Sequence, residues 1–317
     1  MAHLLSIDDV ADDLEEILNW AITFKGDQEV APAFTPLDGM AIGSIYEKPS
    51  TRTRVSFEVG INKLGGYPLT LLKGDIQLGK SETVGDTAQV LSRYLGGITY
   101  RCFGHADVVE LADKSTVPVI NALSDKHHPC QAAADLMTIK EKFDEMQGIK
   151  IAWVGDGNNV LHDLVLAAAI LGCDVHWAVP KGYEPDSDVV ARATTFAEKS
   201  GSTLTATNDP VEAVTNADVI YTDVFISMGE EDMVDKMDDF NGFQINDELI
   251  SHAKDDYLFM HCLPAHRGEE VTDSVMDSSN SVVFDQAENR MWAQMSLLTY
   301  LVDKEAWETY AELLEFD

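Results

Sequence analysis

The sequence predicts an α/β protein with two domains, each a parallel sheet flanked by helices. The chain has 317 residues, which is enough for two domains of ordinary size. Short apolar runs typical of strands alternate with longer helical patterns, and this alternation is typical of parallel sheets covered by helices. A long helical stretch, 131–143, separates the fourth predicted strand from the fifth and indicates a domain junction.

The first domain is predicted to contain four strands, each a short apolar run. Helical patterns at 53–64 and 82–95 lie between them, as a parallel sheet requires. The predicted strands are 41–47, 68–72, 97–103 and 117–122.

The second domain is predicted to contain five strands, with a helix at 160–172 after the first of them. The last segment, 287–317, has helical periodicity and no following strand, so we expect a C-terminal helix that crosses back to the first domain. The expected domains are therefore 1–135, completed by 287–317, and 136–286. The predicted strands of the second domain are 149–156, 174–180, 218–224, 257–263 and 281–285.

The chain is strongly acidic: 55 Asp and Glu stand against 22 Lys and Arg, which gives a formal net charge of -33. The acids recur among apolar residues, as in 8–16 and 305–317, so we expect them to coat a folded surface. Such a coat repels itself in dilute salt and is screened in molar salt. We therefore predict a halophilic protein, with an ordinary acidic protein as the alternative. The same field argues against nucleic acid and anionic membranes as partners.

The sequence also predicts a cytoplasmic location. No apolar run is long enough to span a bilayer, and residues 1–13 lack the basic and apolar regions of a signal peptide. The four cysteines are widely spread without paired spacing, which indicates reduced thiols.

Two of the seven arginines lie in the stretch P-S-T-R-T-R-V-S-F-E, 49–58, directly after a predicted strand. Pro49 suits the start of a helix, and Ser50 or Thr51 suits its N-cap. A helix N-terminus offers unpaired N–H groups and the positive end of the helix dipole, and arginine matches phosphate oxygens best. The stretch therefore indicates an anion site that includes Arg52. A capped helix with a surface arginine is the alternative.

Two further segments follow predicted strands, at the position where open α/β proteins bind ligands. In H-H-P-C-Q, 127–131, His128 and Gln131 are candidate ligand contacts, and the histidines and cysteine are too crowded to share one zinc ion readily. In H-C-L-P, 261–264, Cys262 is a candidate nucleophile, although a buried cysteine is more often inert.

The segment 151–165 has the strand, G-x-G and helix of a dinucleotide fingerprint, but Val160 holds the position of the third glycine. We therefore exclude a nicotinamide cofactor and keep the loop as a ligand contact. In 222–231, Asp223 follows a strand and is a candidate partner for a cationic group, with a loop acid as the alternative.

Together and in this order, these segments resemble the aspartate/ornithine carbamoyltransferase family. The resemblance extends over residues 41–290. S-T-R-T-R at 50–54 and H-P-x-Q at 128–131 are similar to the family as a whole. S-M-G at 227–229 and H-C-L-P at 261–264 are similar to its ornithine enzymes. An aspartate enzyme is expected to need more basic side chains than the arginine-poor second domain offers.

The resemblance implies that carbamoyl phosphate and L-ornithine give L-citrulline and phosphate, by direct attack of the neutral δ-amine and without a metal or cofactor. It implies a homotrimer or a multiple of trimers. The implied carbamoyl-phosphate-binding residues are Ser50, Thr51, Arg52, Thr53, Gln77, Arg101, His128, Gln131, Cys262, Leu263 and Arg290. Those implied for ornithine are Asn159, Asp223, Ser227 and Met228. The implied catalytic residues are Arg52, Thr53, Arg101, His128, Cys262 and Arg290.

Two rival functions stay open in the sequence. One is transfer to another amine, such as putrescine or an acylated ornithine; free ornithine fits better, because Asp223 and Asn159 suit its α-amino acid group. The other is a non-catalytic binding protein on the same fold. The joint presence of Arg52 and the other catalytic candidates weighs against it. The remaining motif arginine, Arg54, is expected to be structural and paired with an acid.

Overall fold

The structure is a computed structural model, in which the described residues form two compact units. The units are Met1–Met137 with Glu288–Asp317, and Thr138–Ala287. Each contains one parallel sheet with helices between its strands, so the predicted α/β class is confirmed. None of the described helices is both long and apolar enough to cross a membrane. The described residues are 2–27, 33–79, 81–143, 145–227 and 236–314.

The sheet of the first unit has the order β2-β1-β3-β4, and all neighbouring strands are parallel. Its central strand β1 (Ala41–Tyr46) is almost wholly buried, as expected for a parallel strand covered on both faces. The other strands are β2 (Tyr67–Leu72), β3 (Gly97–Arg101) and β4 (Val119–Leu123). The helices are α1 (Leu14–Gly26), α2 (Thr51–Lys63), α3 (Val84–Leu91), α4 (His105–Lys114) and α5 (Pro129–Lys142).

The sheet of the second unit has the order β7-β6-β5-β8-β9 and is also parallel. Its strands are β5 (Lys150–Val154), β6 (Asp174–Ala178), β7 (Leu204–Thr207), β8 (Val219–Thr222) and β9 (Leu258–His261). Its helices are α6 (Asn159–Ile170), α7 (Ser187–Ser200), α8 (Pro210–Val214), α9 (Lys236–Asp239), α10 (Asp247–Ile250) and α11 (Asp273–Met276).

The C-terminal helices α12 (Val283–Val302) and α13 (Lys304–Leu314) return to the first unit, as predicted. In α12, the Ser296 hydroxyl donates to the Ile17 carbonyl of α1 over 2.8 Å. The rings of Tyr310 in α13 and Trp20 in α1 lie 5.1 Å apart, centroid to centroid. A buried hydrogen bond and aromatic packing therefore fix the chain end on α1.

One strand assignment from sequence was wrong, and one strand was missed. The run 281–285 is not a strand: only Ser281 makes an isolated bridge, and α12 begins at Val283. Its apolar residues form the first turn of a helix, which so short a run cannot reveal. Sequence reasoning also missed β7, the half-buried L-T-A-T of Leu204–Thr207 at the sheet edge. That strand buries too little surface to show a strong apolar pattern.

Candidate active site

In the first unit, the strand order places two predicted site segments next to each other. β1 lies between β2 and β3. The connection from β1 therefore leads to the strand on one side of it, and the connection from β2 leads to the strand on its other side. Such a reversal leaves a crevice at the carboxyl ends of the strands, where α/β proteins bind ligands. The loop after β1 carries Ser50 at the start of α2, and β3 ends in Arg101.

The Ser50 side chain caps α2: its Oγ accepts a hydrogen bond from the Thr53 backbone N–H over 3.3 Å. Thr51 and Arg52 form the first turn, with Thr51 exposed and Arg52 half-buried. The helix therefore presents its positive end, two hydroxyl side chains and a guanidinium at one place. Arg54 lies on the outer side, and its Nε is 2.8 Å from Glu58 Oε1, so the predicted structural pairing is confirmed.

Two buried guanidinium groups converge on Thr53. Arg101 Nη1 lies 3.4 Å from Thr53 Oγ1, and Arg290 Nη2 of α12 lies 3.0 Å from the same atom. Both arginines are almost fully buried, with 5% and 4% of their surface exposed. Two desolvated cations on one neutral hydroxyl form an arrangement that a bound dianion stabilises. We call Ser50, Thr53, Arg101 and Arg290 the anion cradle.

His128 and Gln131, at the start of α5, extend the anion cradle. Gln131 Oε1 accepts from Arg290 Nη1 over 2.7 Å, and Gln131 Nε2 donates to Asp135 Oδ1 over 2.7 Å. A carboxylate can only accept, so Asp135 fixes the Gln131 amide with its oxygen toward Arg290. Sequence reasoning missed Asp135. The only available signal was its position one helical turn after Gln131.

Burial, together with the positive charges of Arg290 and Arg101, holds the pKa of His128 well below its ordinary value. The side chain is 2% exposed, so His128 is a neutral imidazole near pH 7. A neutral imidazole can still donate a hydrogen bond to a carbonyl oxygen and stabilise charge that develops there.

This depressed pKa should make the fold sensitive to acid. Below about pH 6.5 the unfolded chain takes up a proton at His128 that the folded chain does not. The free energy of unfolding therefore decreases as the pH is lowered. His128→Gln should remove this loss, which is at most about 1.4 kcal/mol per pH unit. Denaturant unfolding of both proteins at pH 5, 6 and 7 in molar KCl measures it. The same dependence on pH in both proteins would contradict the prediction.

Gln77 makes a side-chain contact within its own loop. It is exposed in the segment between β2 and α3, and its Oε1 accepts from the Ser81 hydroxyl over 3.0 Å. A role for Gln77 in binding carbamoyl phosphate, from its own subunit or from a neighbouring one, stays a prediction.

The second unit holds a separate polar cluster at the reversal of its own sheet, where β5 lies between β6 and β8. Asp223 follows β8 and is 6% exposed. Its Oδ1 accepts from the Cys262 thiol over 3.1 Å, and its Oδ2 accepts from Asn158 Nδ2 over 2.9 Å. We call Asn158, Asp223 and Cys262 the aspartate cluster. It offers a carboxylate whose position is fixed from both sides.

The amide of Asn158, the neighbour of the predicted Asn159, contacts Asp223. Asn158 Oδ1 also accepts from the Val160 N–H over 3.0 Å, which caps α6, and sequence reasoning missed both contacts. Asn159 is the half-buried first residue of that helix. Ser227 is half-buried at the end of a described stretch, and Met228 lies outside the described residues.

The G-x-G of this loop has a packing function. A Cβ added to Gly157 would lie 2.3 Å from the Tyr183 carbonyl oxygen, and the Gly157 N–H donates to that oxygen over 2.9 Å. The glycine therefore allows two backbone segments to approach, which accounts for its presence without a dinucleotide.

Family models match both units of the chain. A model described as "Aspartate/ornithine carbamoyltransferase, carbamoyl-P binding domain" matches 2–141, and one described as "Aspartate/ornithine carbamoyltransferase, Asp/Orn binding domain" matches 147–301. The ornithine carbamoyltransferase of Thermococcus kodakarensis is 54% identical over 92% of this chain and 93% of its own length. A catabolic ornithine carbamoyltransferase of Thermoplasma acidophilum is 51% identical over 94% and 98%.

The same relationship is seen in three dimensions. The solved structure of ornithine carbamoyltransferase from Pyrococcus furiosus matches with a TM-score of 0.91 and 52% sequence identity, over 95% of this chain and 96% of that one. Sequence models that cover both units and a relative of the same fold therefore agree. The chain belongs to the aspartate/ornithine carbamoyltransferase family.

Proposed function

We propose that this chain is an ornithine carbamoyltransferase, which converts carbamoyl phosphate and L-ornithine to L-citrulline and phosphate. The observation that carries the proposal is the convergence of Arg101 and Arg290 on Thr53 beside the N-terminus of α2. That arrangement suits a phosphate dianion better than any other common metabolite group. The relatives named above, at more than 50% identity over most of the chain, support the same activity.

In the proposed reaction, the first unit binds carbamoyl phosphate. The side chains of Ser50, Thr51, Arg52 and Thr53 hold the phosphate with Arg101. His128, Gln131 and Arg290 bind the carbamoyl group. The δ-amine attacks the carbamoyl carbon, and the carbonyl electrons move to its oxygen. The carbonyl then re-forms as the C–O bond to phosphate breaks, and the departing phosphate takes up the proton that the attacking nitrogen loses. Neutral His128 and the two buried guanidiniums stabilise the oxyanion, because they are already oriented before charge develops.

The second unit binds ornithine. Asp223 offers its carboxylate to the α-amino group, and the amide of Asn159, with that of neighbouring Asn158, serves the α-carboxylate. Ser227 and Met228 shape the side-chain pocket. The Cys262 thiol and the Leu263 carbonyl lie by the reacting amine and the carbamoyl nitrogen. The anion-cradle unit and the aspartate-cluster unit are thus the carbamoyl-phosphate-binding and ornithine-binding domains.

We further propose a cytoplasmic homotrimer, or a multiple of trimers. The described residues leave nine large hydrophobic side chains exposed, and seven of them lie between 55 and 103 in the first unit. Exposed hydrophobic side chains are common at subunit interfaces, and in the sequence these seven lie on both sides of the loop of Gln77. The four cysteines, all among the described residues, form no disulfide bond, which is compatible with a reducing compartment. The seven side chains are Val55, Val59, Tyr67, Leu72, Val90, Tyr94 and Phe103.

The amine acceptor decides between this function and its rivals. In molar KCl with carbamoyl phosphate, we expect carbamoylation of L-ornithine and none above background with putrescine, N-acetylornithine or aspartate. The physical reason is that Asp223 has a partner only in a free α-amino group, which putrescine and N-acetylornithine do not offer beside a carboxylate. Aspartate has that group, but its second carboxylate would need basic side chains that the arginine-poor second unit does not offer. Product formation is followed by mass spectrometry. Transfer to putrescine instead would be compatible with the anion cradle and would contradict the role of Asp223. If folded protein gave no product with any acceptor, a non-catalytic binding protein would be favoured.

A further inference from the structure

The turn that follows β9 has a conformation that its own sequence disfavours. Leu263 has φ +59°, in the left-handed region. For a residue with a Cβ this conformation costs roughly 1–2 kcal/mol, and it persists only where the surroundings fix it. The turn carries the Cys262 thiol and the Leu263 carbonyl, so whatever fixes it also places both groups.

A buried chain of hydrogen bonds fixes this turn. The Leu263 N–H donates to His261 Nδ1 over 2.9 Å, and His261 Nε2 lies 3.0 Å from Glu270 Oε1. The side chains of His261 and Glu270 are both 0% exposed. The backbone N–H of His261 donates to Gln286 Oε1 over 2.9 Å, which holds the histidine from a third direction.

The chemistry of these atoms dictates the direction of every bond. A backbone N–H can only donate, so His261 Nδ1 is the acceptor and carries no proton. The proton of the neutral ring is therefore on Nε2, where it is donated to Glu270 Oε1. The same oxygen accepts the His266 backbone N–H over 2.5 Å, which fixes the carboxylate. The Leu263 N–H and the Glu270 carboxylate thus select the same tautomer of His261 from opposite sides of its ring.

We propose that Glu270 and His261 are positioning residues for carbamoyl transfer. Glu270 holds His261 as the Nε2–H tautomer, His261 Nδ1 holds the Leu263 N–H, and this bond keeps the Leu263 carbonyl and the Cys262 thiol in their working positions. Neither residue touches the reacting atoms. This inference rests on the proposed function, because it gives a task to two groups that the proposed reaction uses.

Two isosteric substitutions of His261 test the inference. In His261→Asn, the amide oxygen occupies the position of Nδ1 and can still accept the Leu263 N–H. In His261→Gln, the amide nitrogen occupies the position of Nε2 and can still donate to Glu270, but the Nδ1 acceptor is lost. We expect kcat to fall by on the order of 100-fold in the glutamine variant, as for a misplacement of about 1 Å, and by roughly tenfold or less in the asparagine variant.

The second pair concerns Glu270. Glu270→Gln keeps an oxygen that accepts from His261, so kcat should stay within a few-fold of the unsubstituted protein. Glu270→Ala removes the acceptor of the Nε2–H, so the imidazole is no longer held against the Leu263 N–H, and kcat should fall as in His261→Gln. Thermal unfolding of all four variants shows whether they are equally folded.

The inference would be overturned if His261→Asn and His261→Gln lost kcat equally and each loss followed the decrease in melting temperature. His261 would then have a purely structural role. Unchanged kcat in both variants would also overturn it. Failure of the proposed function itself is distinguishable, because the unsubstituted protein would then not carbamoylate ornithine.

Discussion

Replacement of Arg101 with methionine should lower kcat/KM for carbamoyl phosphate by about 30- to 4,000-fold. Truncation of a buried charge that pairs with an anion costs about 2–5 kcal/mol, and each 1.4 kcal/mol is a factor of ten. Methionine fills the space of the aliphatic part of arginine without its charge. The steady-state rate of citrulline formation at several carbamoyl phosphate concentrations gives the value directly.

The same substitution should leave stability unchanged or increase it. Arg101 and Arg290 are buried, like-charged and directed at one Thr53 hydroxyl, so without ligand they repel each other in a medium that screens little. A binding site commonly lowers stability in this way. Inorganic phosphate should raise the melting temperature of the unsubstituted protein and not that of Arg101→Met, because a ligand stabilises only the state that binds it.

The matched control is Arg54→Met. Arg54 belongs to the same S-T-R-T-R motif, but it is exposed on α2 and contacts Glu58. Its loss should leave kcat/KM within a few-fold. Near-normal kcat/KM in Arg101→Met, or a loss that accompanies unfolding, would contradict the assignment of the anion cradle.

The sequence could predict those features that depend on neighbouring residues. The N-cap at Ser50 follows from a proline and hydroxyl side chains after an apolar strand, and the structure places the cap there. The two parallel sheets follow from the alternation of strands and helices. Arg290 was named from family resemblance alone. Its contact with Gln131, 159 residues away, depends on the return of α12 to the first unit.

The contacts that sequence reasoning missed are those whose partners are set by tertiary structure. Asn158 and Asn159 are chemically identical, and only the start of α6 decides which amide reaches Asp223. Glu270 is one of 55 acids, and its sequence neighbours do not distinguish it from the exposed Glu269. A buried carboxylate is visible only when the histidine that it contacts is in place.

The second large effect that we expect is a rise in melting temperature of roughly 10 °C between 0.1 M and 1 M KCl. Two like charges 10 Å apart repel by about 0.4 kcal/mol in water before screening. Because the Debye length falls from about 10 Å to about 3 Å over this range, the remaining repulsion drops from about 0.15 to about 0.01 kcal/mol per pair. On the order of tens of such pairs then add several kcal/mol to the free energy of unfolding, and each kcal/mol raises the melting temperature by about 2–4 °C.

Salt also weakens exposed ion pairs, such as those of Arg267 with Asp273 and Asp277. The acids exceed the bases by 33, so relief of repulsion should dominate that loss. A variant with fewer charges separates the relief of repulsion from other effects of salt on stability. It combines Asp113→Asn, Glu198→Gln and Glu308→Gln, which replace three exposed acids that lie outside the first turns of their helices. This variant should melt at a higher temperature than the unsubstituted protein in 0.1 M KCl and at the same temperature in 1 M KCl. If the unsubstituted protein melts at one temperature at both salt concentrations, its acidic surface is no adaptation to high salt.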